Sequence, residues 1–192
     1  MFFRPLVVCI VLVVQSIVSF SQDKPLSEKK LAAIKTIRDL PTALESPEKV
    51  YKLDLSKHPF YGFPVRVLQF KNLQVLTLNE ADITEIPEEI QSLKNLRVLK
   101  LNGNYFKEIP EAIFLLEKLE VLELKNNKIS HIPKGIGNLT KLRSVDFTFN
   151  QIDSIDEALG KCISLEKLNL SFATIRELPQ SLTDLRALNH LN

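Results

Sequence analysis

The stretch Leu96–Pro110, LRVLKLNGNYFKEIP, places leucine at its first, fourth and sixth positions and asparagine at its ninth. Alternating apolar residues mark a short strand with one face buried. An amide just beyond such a strand needs a reason. Moving 23 residues downstream supplies one: LEVLELKNNKISHIP begins at Leu119 with the same letters in the same places.

The pattern extends in both directions without gaps. Copies start at Leu73, Leu96, Leu119, Leu142 and Leu165, a worn copy starts at Val50, and a seventh begins at Leu188 and stops at Asn192. The fourth and sixth places carry pairs such as Leu76 and Leu78, Leu99 and Leu101, and Leu122 and Leu124. Further apolar places at Ile109, Ile113 and Leu116 recur at spacings of three to four, which suits a short helical or 3₁₀ turn. One copy cannot bury these residues alone. Stacked copies form one continuous core, with their strands aligned as a parallel sheet.

The ninth place holds Asn104, Asn127 and Asn150. After its strand each coil turns inward and buries backbone N–H and C=O groups, which need partners. An amide both donates and accepts, so a ladder of asparagines satisfies these turns. Ala81 and Ala173 stand at this place in other copies and predict looser or water-filled turns there. Proline recurs at Pro64, Pro87, Pro110, Pro133 and Pro179, suited to the bend away from the strand side. Asp156 breaks this series and predicts a different turn in its coil.

This pattern resembles the leucine-rich repeat family, in its 23-residue, proline-containing class, from Val50 to Asn192. The resemblance implies an α/β solenoid: an arc with parallel strands on the concave face and short helical, 3₁₀ or extended segments on the convex face. It also implies protein or peptide binding on the concave face, without catalysis or a cofactor.

The remaining chain falls into two parts. Residues 1–21 read as a secretory signal peptide: Arg4, an apolar run from Leu6 to Val14, and small residues at Ser19 and Ser21. The ending SFSQ resembles leaders of exported bacterial proteins of the Bacteroidetes. A secreted, periplasmic or cell-surface protein is expected, with no membrane span once the leader is removed; an uncleaved membrane anchor is the alternative. Residues 22–49 read as a helical N-terminal cap, with a linker as the alternative. Ser27 would cap a helix carrying Leu31, Ile34 and Ile37 and ending before Pro41, and Ser46 would cap a second turn. At the other end the array stops without a polar cap, which predicts a truncated or partial array and self-association through its last coil.

Composition removes other classes. Hydrophobic residues make up 45% of the 192 residues and the formal charge is +2, too small to argue for nucleic acid or an anionic membrane. After the leader Cys162 is the only cysteine, so no internal disulfide forms. His58, His131 and His190 occupy unrelated places, with no recurring metal-ligand spacing and no hydrolytic triad.

Binding residues are therefore sought among the strand residues between the leucines. Val75, Val98 and Val121 stack as an apolar ridge. Lys100, Asn102, Glu123, Lys125, Asp146 and Asn169 make a mixed polar centre. Phe149 and Phe172 adjoin each other at the strand ends as aromatic anchors. Two other readings stay open: a recognition fragment of a larger enzyme or signalling protein, and a structural envelope protein.

Overall fold

The computed structural model describes residues 25–192. The leader assigned to residues 1–21 lies outside the described residues. Among these, no helix is long and apolar enough to cross a membrane.

Each of the six full coils opens with a three-residue strand. These are β1 (Lys52–Asp54), β2 (Val75–Thr77), β3 (Val98–Lys100) and β4 (Val121–Glu123). Two-residue strands, β5 (His131–Ile132) and β7 (Ser154–Ile155), alternate with β6 (Ser144–Asp146) and β8 (Lys167–Asn169), and β9 (His190–Leu191) follows. A parallel sheet runs in the order β1-β2-β3-β4-β6-β8-β9, and β5 pairs with β7 in a second, two-stranded one. Register follows the repeat residue for residue: Val75 opposes Val98, Val98 opposes Val121, and Leu99 opposes Leu122. The middle residue of each three-residue strand is buried and its neighbours face outward.

The return path of each coil holds a five-residue 3₁₀ helix, as at Glu88–Ser92, Glu111–Leu115 and Glu157–Lys161. Its apolar residues meet the strand leucines in one continuous core from Ala43 to Leu185. These helices pack closely enough that a Cβ at Gly137 would lie 2.7 Å from the carbonyl oxygen of Ala158. Glycine at that place lets neighbouring coils approach.

Prolines begin most of these helices and offer no side-chain cap. Asp156 corrects an expectation. It holds the same extended conformation as the prolines (φ −71°, ψ 146°), so its coil does not turn differently. Its carboxylate accepts from the Ala158 N–H at 2.8 Å and caps its own helix. One coil on, Glu157 caps the helix behind Pro179, accepting from Ser181 N–H at 2.8 Å and Gln180 N–H at 3.1 Å. The Ser181 hydrogen bond leads in holding the Glu157 carboxyl below the usual carboxylate range.

The asparagine ladder runs backward along the chain. Asn104 Oδ1 accepts from Ala81 N–H and Ile83 N–H of the preceding coil, both at 3.1 Å. Its Nδ2 donates to Leu78 O at 2.8 Å and to Leu101 O at 3.0 Å. Asn127 and Asn150 reach back in the same way, to Phe106 N–H and Ile129 N–H. The expectation of a loose turn at Ala81 is therefore corrected. That turn is closed by Asn104, and Ala81 is fully buried. What Ala81 omits is an amide for the coil before it, where Phe60 N–H donates to Ala81 O instead.

Cys162 takes a leucine place and is fully buried, its thiol donating to Ile136 O at 3.2 Å. Burial pushes the thiol pKa up to about 11. The group is protonated in both states below the ordinary thiol range, so its contribution is complete there. Between that range and about 11 the unfolded chain loses the proton and the folded chain keeps it, so stability falls as pH rises. A thiol reagent at pH 8 is expected to leave Cys162 unlabelled in the folded chain and to label it in urea. Cys162→Ala is expected to flatten the loss of stability measured between pH 9 and 11; an unchanged slope would assign that loss to other groups.

The segment before the repeat differs in detail from the sequence expectation. Helix α1 (Glu28–Ala33) is shorter than expected, with Ser27 at its N-cap and Ile34 already extended. Ile37 is not helical. It forms a parallel bridge with Leu53 and extends the sheet edge. Helix α2 (Leu40–Glu45) is capped by Asp39, whose carboxylate accepts from Thr42 N–H at 2.8 Å. Ser46 makes no side-chain cap bond.

Candidate functional site

Parallel pairing at a 23-residue offset converts each outward position of the repeat into a column across the sheet. The face built from these columns has three zones.

The first zone is the valine column. Val75, Val98 and Val121 lie side by side and half-buried, flanked by Lys52, Ser144 and Lys167. The column is not an open ridge. Helix α1 faces it, and Leu31 and Ala32 line a cleft of about 530 Å³ together with the three valines. Lys52 Nζ donates to Ala32 O at 3.3 Å. Glu28 lies between two arginines, 3.3 Å from Arg97 and 3.6 Å from Arg143.

Those arginines belong to the residue just before each outward strand position. That column reads Arg97, Glu120, Arg143, Glu166, alternating in charge. Arg97 binds the Glu120 carboxylate in bidentate fashion, Nε and Nη2 each at 2.7 Å. Arg143 pairs with Glu166 at 2.8 Å. The Glu120 hydrogen bond leads in raising the Arg97 pKa, and the Glu166 hydrogen bond does the same for Arg143. Sequence reasoning passed over this column. Its 23-residue sign alternation was legible, but Glu28 as its third partner was not.

The polar centre is the second zone. Lys100 Nζ pairs with Glu123 Oε1 at 2.7 Å, and Asn102 Nδ2 donates to Glu123 Oε2 at 2.7 Å. Asn102 also closes backbone: its Oδ1 accepts from Lys125 N–H at 2.9 Å, and its own N–H donates to Asn79 Oδ1 at 2.8 Å. Asp146 Oδ1 accepts from the hydroxyl and N–H of Thr148, at 2.5 and 2.8 Å. Asn169 makes the same loop with Ser171, at 2.7 and 3.1 Å. Much of this zone's hydrogen-bonding capacity is spent within the sheet. Exposed Lys125 retains its ammonium for the third zone.

The third zone is aromatic. Phe149 and Phe172 stack with ring centroids 4.2 Å apart and planes 18° from parallel, and remain 47% and 69% exposed. Lys125 Nζ stands 5.7 Å from the Phe149 centroid, within cation–π range. Both phenylalanines have left-handed backbones, φ 57° and 68°. The equivalent place in the other four coils is also left-handed, held by Gly103 and Asn126, which suit it, and by Lys57 and Glu80. Bulky residues in this conformation cost stability, and such cost gathers at functional surfaces.

On the opposite side, His131 Nδ1 lies 2.9 Å from Ser154 Oγ, and Ser154 donates its hydroxyl proton to Asp153 at 2.7 Å. No group of three His, Cys, Asp or Glu residues arranged to hold a metal occurs among the described residues.

A family model described as leucine-rich repeat region matches residues 64–192, more than half of the chain. No curated protein matches. Solved structures do. A leucine-rich repeat protein of Leptospira interrogans is 26% identical with a TM-score of 0.57, over 81% of this chain and 52% of its own. Internalin C2 of Listeria monocytogenes is 26% identical with a TM-score of 0.69, over 82% and 66%. The ectodomain of the plant membrane receptor kinase GASSHO1/SCHENGEN3 from Arabidopsis thaliana, solved in complex with CASPARIAN STRIP INTEGRITY FACTOR 2, is 25% identical with a TM-score of 0.65, over 82% and 20%. The chain thus spans about half the length of the Leptospira protein and one fifth of the plant ectodomain.

Proposed function

The chain belongs to the leucine-rich repeat family, and from that premise we propose that it is a non-catalytic recognition protein, exported from its cell, that binds a protein or peptide on the sheet face. The observation that carries this reading is the Phe149–Phe172 stack. Two large apolar rings are held out to solvent in a backbone conformation that disfavours them, and a lysine stands over one of them. Lys57 and Glu80 hold the same backbone in other coils, so it is the pairing and exposure of two rings, rather than the backbone alone, that sets this place apart. Exposed aromatics beside a cation are typical anchors of a protein interface.

Support of a weaker kind comes from the neighbours. The plant ectodomain was solved with a named factor bound. The uninterrupted 23-residue spacing and recurrent proline support reading this array as the proline-containing class of the family. Export rests on the leader reading of residues 1–21, with cleavage placed after Ser21. In the polar centre, Lys100, Glu123 and Asn102 set the pattern of charge a partner must match, which governs specificity more than affinity.

The test is capture of partners from the extracellular fraction of the source cells, with the parent chain and a Phe149→Ala/Phe172→Ala chain side by side. A partner retained by the parent and lost by the variant is expected. Identical capture by both chains would remove the aromatic pair from the site.

A further inference from the structure

Helix α1 lies on the sheet face but does not belong to the core. Leu31 is buried, 8% exposed, yet it is outside the continuous apolar cluster. The partly buried residues packed against that cluster begin at Ile37, Leu40 and Leu44. The sheet edge likewise begins at Ile37, whose N–H donates to Lys52 O and whose carbonyl accepts from Asp54 N–H. Three residues, 34–36, separate this anchored point from α1. Beyond them the holds are one buried leucine, a lysine on a carbonyl at 3.3 Å, and Glu28 between Arg97 and Arg143. The Glu28 side chain is 72% exposed, so its ion pairs are screened and weak.

The contacts have the form of a bound ligand. A carboxylate meets paired arginines, and an apolar residue three positions on, on the same helical face, lines the same cleft as the valine column. The fit is partial. A cleft of about 530 Å³ remains among Val98, Val121, Ser144 and the helix. A longer or bulkier segment would bury more of it.

We propose that α1 is a displaceable internal ligand, and that the cleft takes a helical segment of a partner protein carrying a carboxylate and an apolar residue three positions apart. The proposal rests on the sheet face being the recognition surface, and it adds a partner chemistry and a regulation. A partner must outcompete a tethered helix, whose effective concentration is on the order of millimolar.

The probe is a labelled synthetic peptide of residues 25–36, titrated into the full chain and into a full chain carrying Glu28→Ala/Leu31→Ala. The opened chain is expected to bind at least about tenfold more tightly, because its own helix no longer competes. Adding Arg97→Ala to it is expected to weaken peptide binding by a few-fold, the size of one exposed ion pair, and the peptide with the same two alanines is expected not to bind. In the opened chain, hydrogen exchange at the Leu31 amide should accelerate while that at Asp54 and Leu55 stays slow. Equal binding by parent and opened chains would overturn the proposal. So would loss of fold in the opened chain, since a displaceable helix cannot be required for folding. The peptide readout is independent of Phe149 and Phe172. Its failure beside intact Phe-dependent capture rejects the internal ligand alone, and the converse result rejects the aromatic surface alone.

Discussion

An Asn104→Ala chain is expected to unfold more easily than the parent by about 3–5 kcal/mol, because several buried groups lose their partners together, each at about 1–3 kcal/mol. The amide is 3% exposed and ties two coils to each other. It satisfies two N–H groups of the preceding coil, at Ala81 and Ile83, and the Leu78 carbonyl, and it shares the Leu101 carbonyl with Asn127. Water entering the space would recover part of the loss, which keeps the figure below the simple sum. Asn104→Asp separates the two roles. It retains an acceptor for the N–H groups but sets an oxygen against both carbonyls, so it is expected to be no better than alanine. Urea unfolding of the three chains measures this. A loss under about 1 kcal/mol for Asn104→Ala would mean that the turns close without the ladder.

The second large effect divides stability from binding. Truncating a buried phenylalanine ordinarily costs about 3–5 kcal/mol. For Phe149→Gly/Phe172→Gly the expected change in stability is within about 1 kcal/mol of zero. Relief of two left-handed backbones, at roughly 1–2 kcal/mol each, offsets the lost stack, worth about 0.5–1.5 kcal/mol, and the added chain entropy of glycine. Gly103 already occupies this place two coils before Phe149. Affinity for a partner captured by the parent is expected to fall about 100-fold, or about 2.7 kcal/mol. Thermal unfolding and a binding titration on the same samples decide it. A stability loss of 3 kcal/mol or more would make the rings structural and withdraw them from the site.

The neighbours constrain these expectations only through the fold. Residues that build the coil recur every 23 places, whereas the outward columns change from copy to copy, so likeness of architecture transfers no contact residues. That is why the aromatic pair and the charged columns are argued from their own geometry.

The repeat itself was legible from the letters alone. Each core leucine meets its own counterpart 23 residues away, so one periodic string states the strand, its register and the buried layer together. The outward columns followed for the same reason, as did a role for the ninth-place amides. Their direction did not. Whether Asn104 serves its own coil or the one before depends on how successive coils tilt, and only the stacked coordinates assign it to Ala81, Ile83 and Leu78. Asp156 looked like a break because it is not proline, yet a carboxylate that caps the next turn meets the same backbone demand. Left-handed backbone at Phe149 and Phe172 was hidden as well, since side-chain type argues against it and stacking geometry imposes it. The furthest from sight was α1. Glu28 and Arg97 are 69 residues apart, and although that equals three repeat lengths, Glu28 lies before the first copy and is not one of the repeated letters, so nothing local links them. Periodic contacts are written into the string because each residue meets its own kind; a contact between the repeat and the segment outside it depends on shape and charge in three dimensions, and only the tertiary structure decided it.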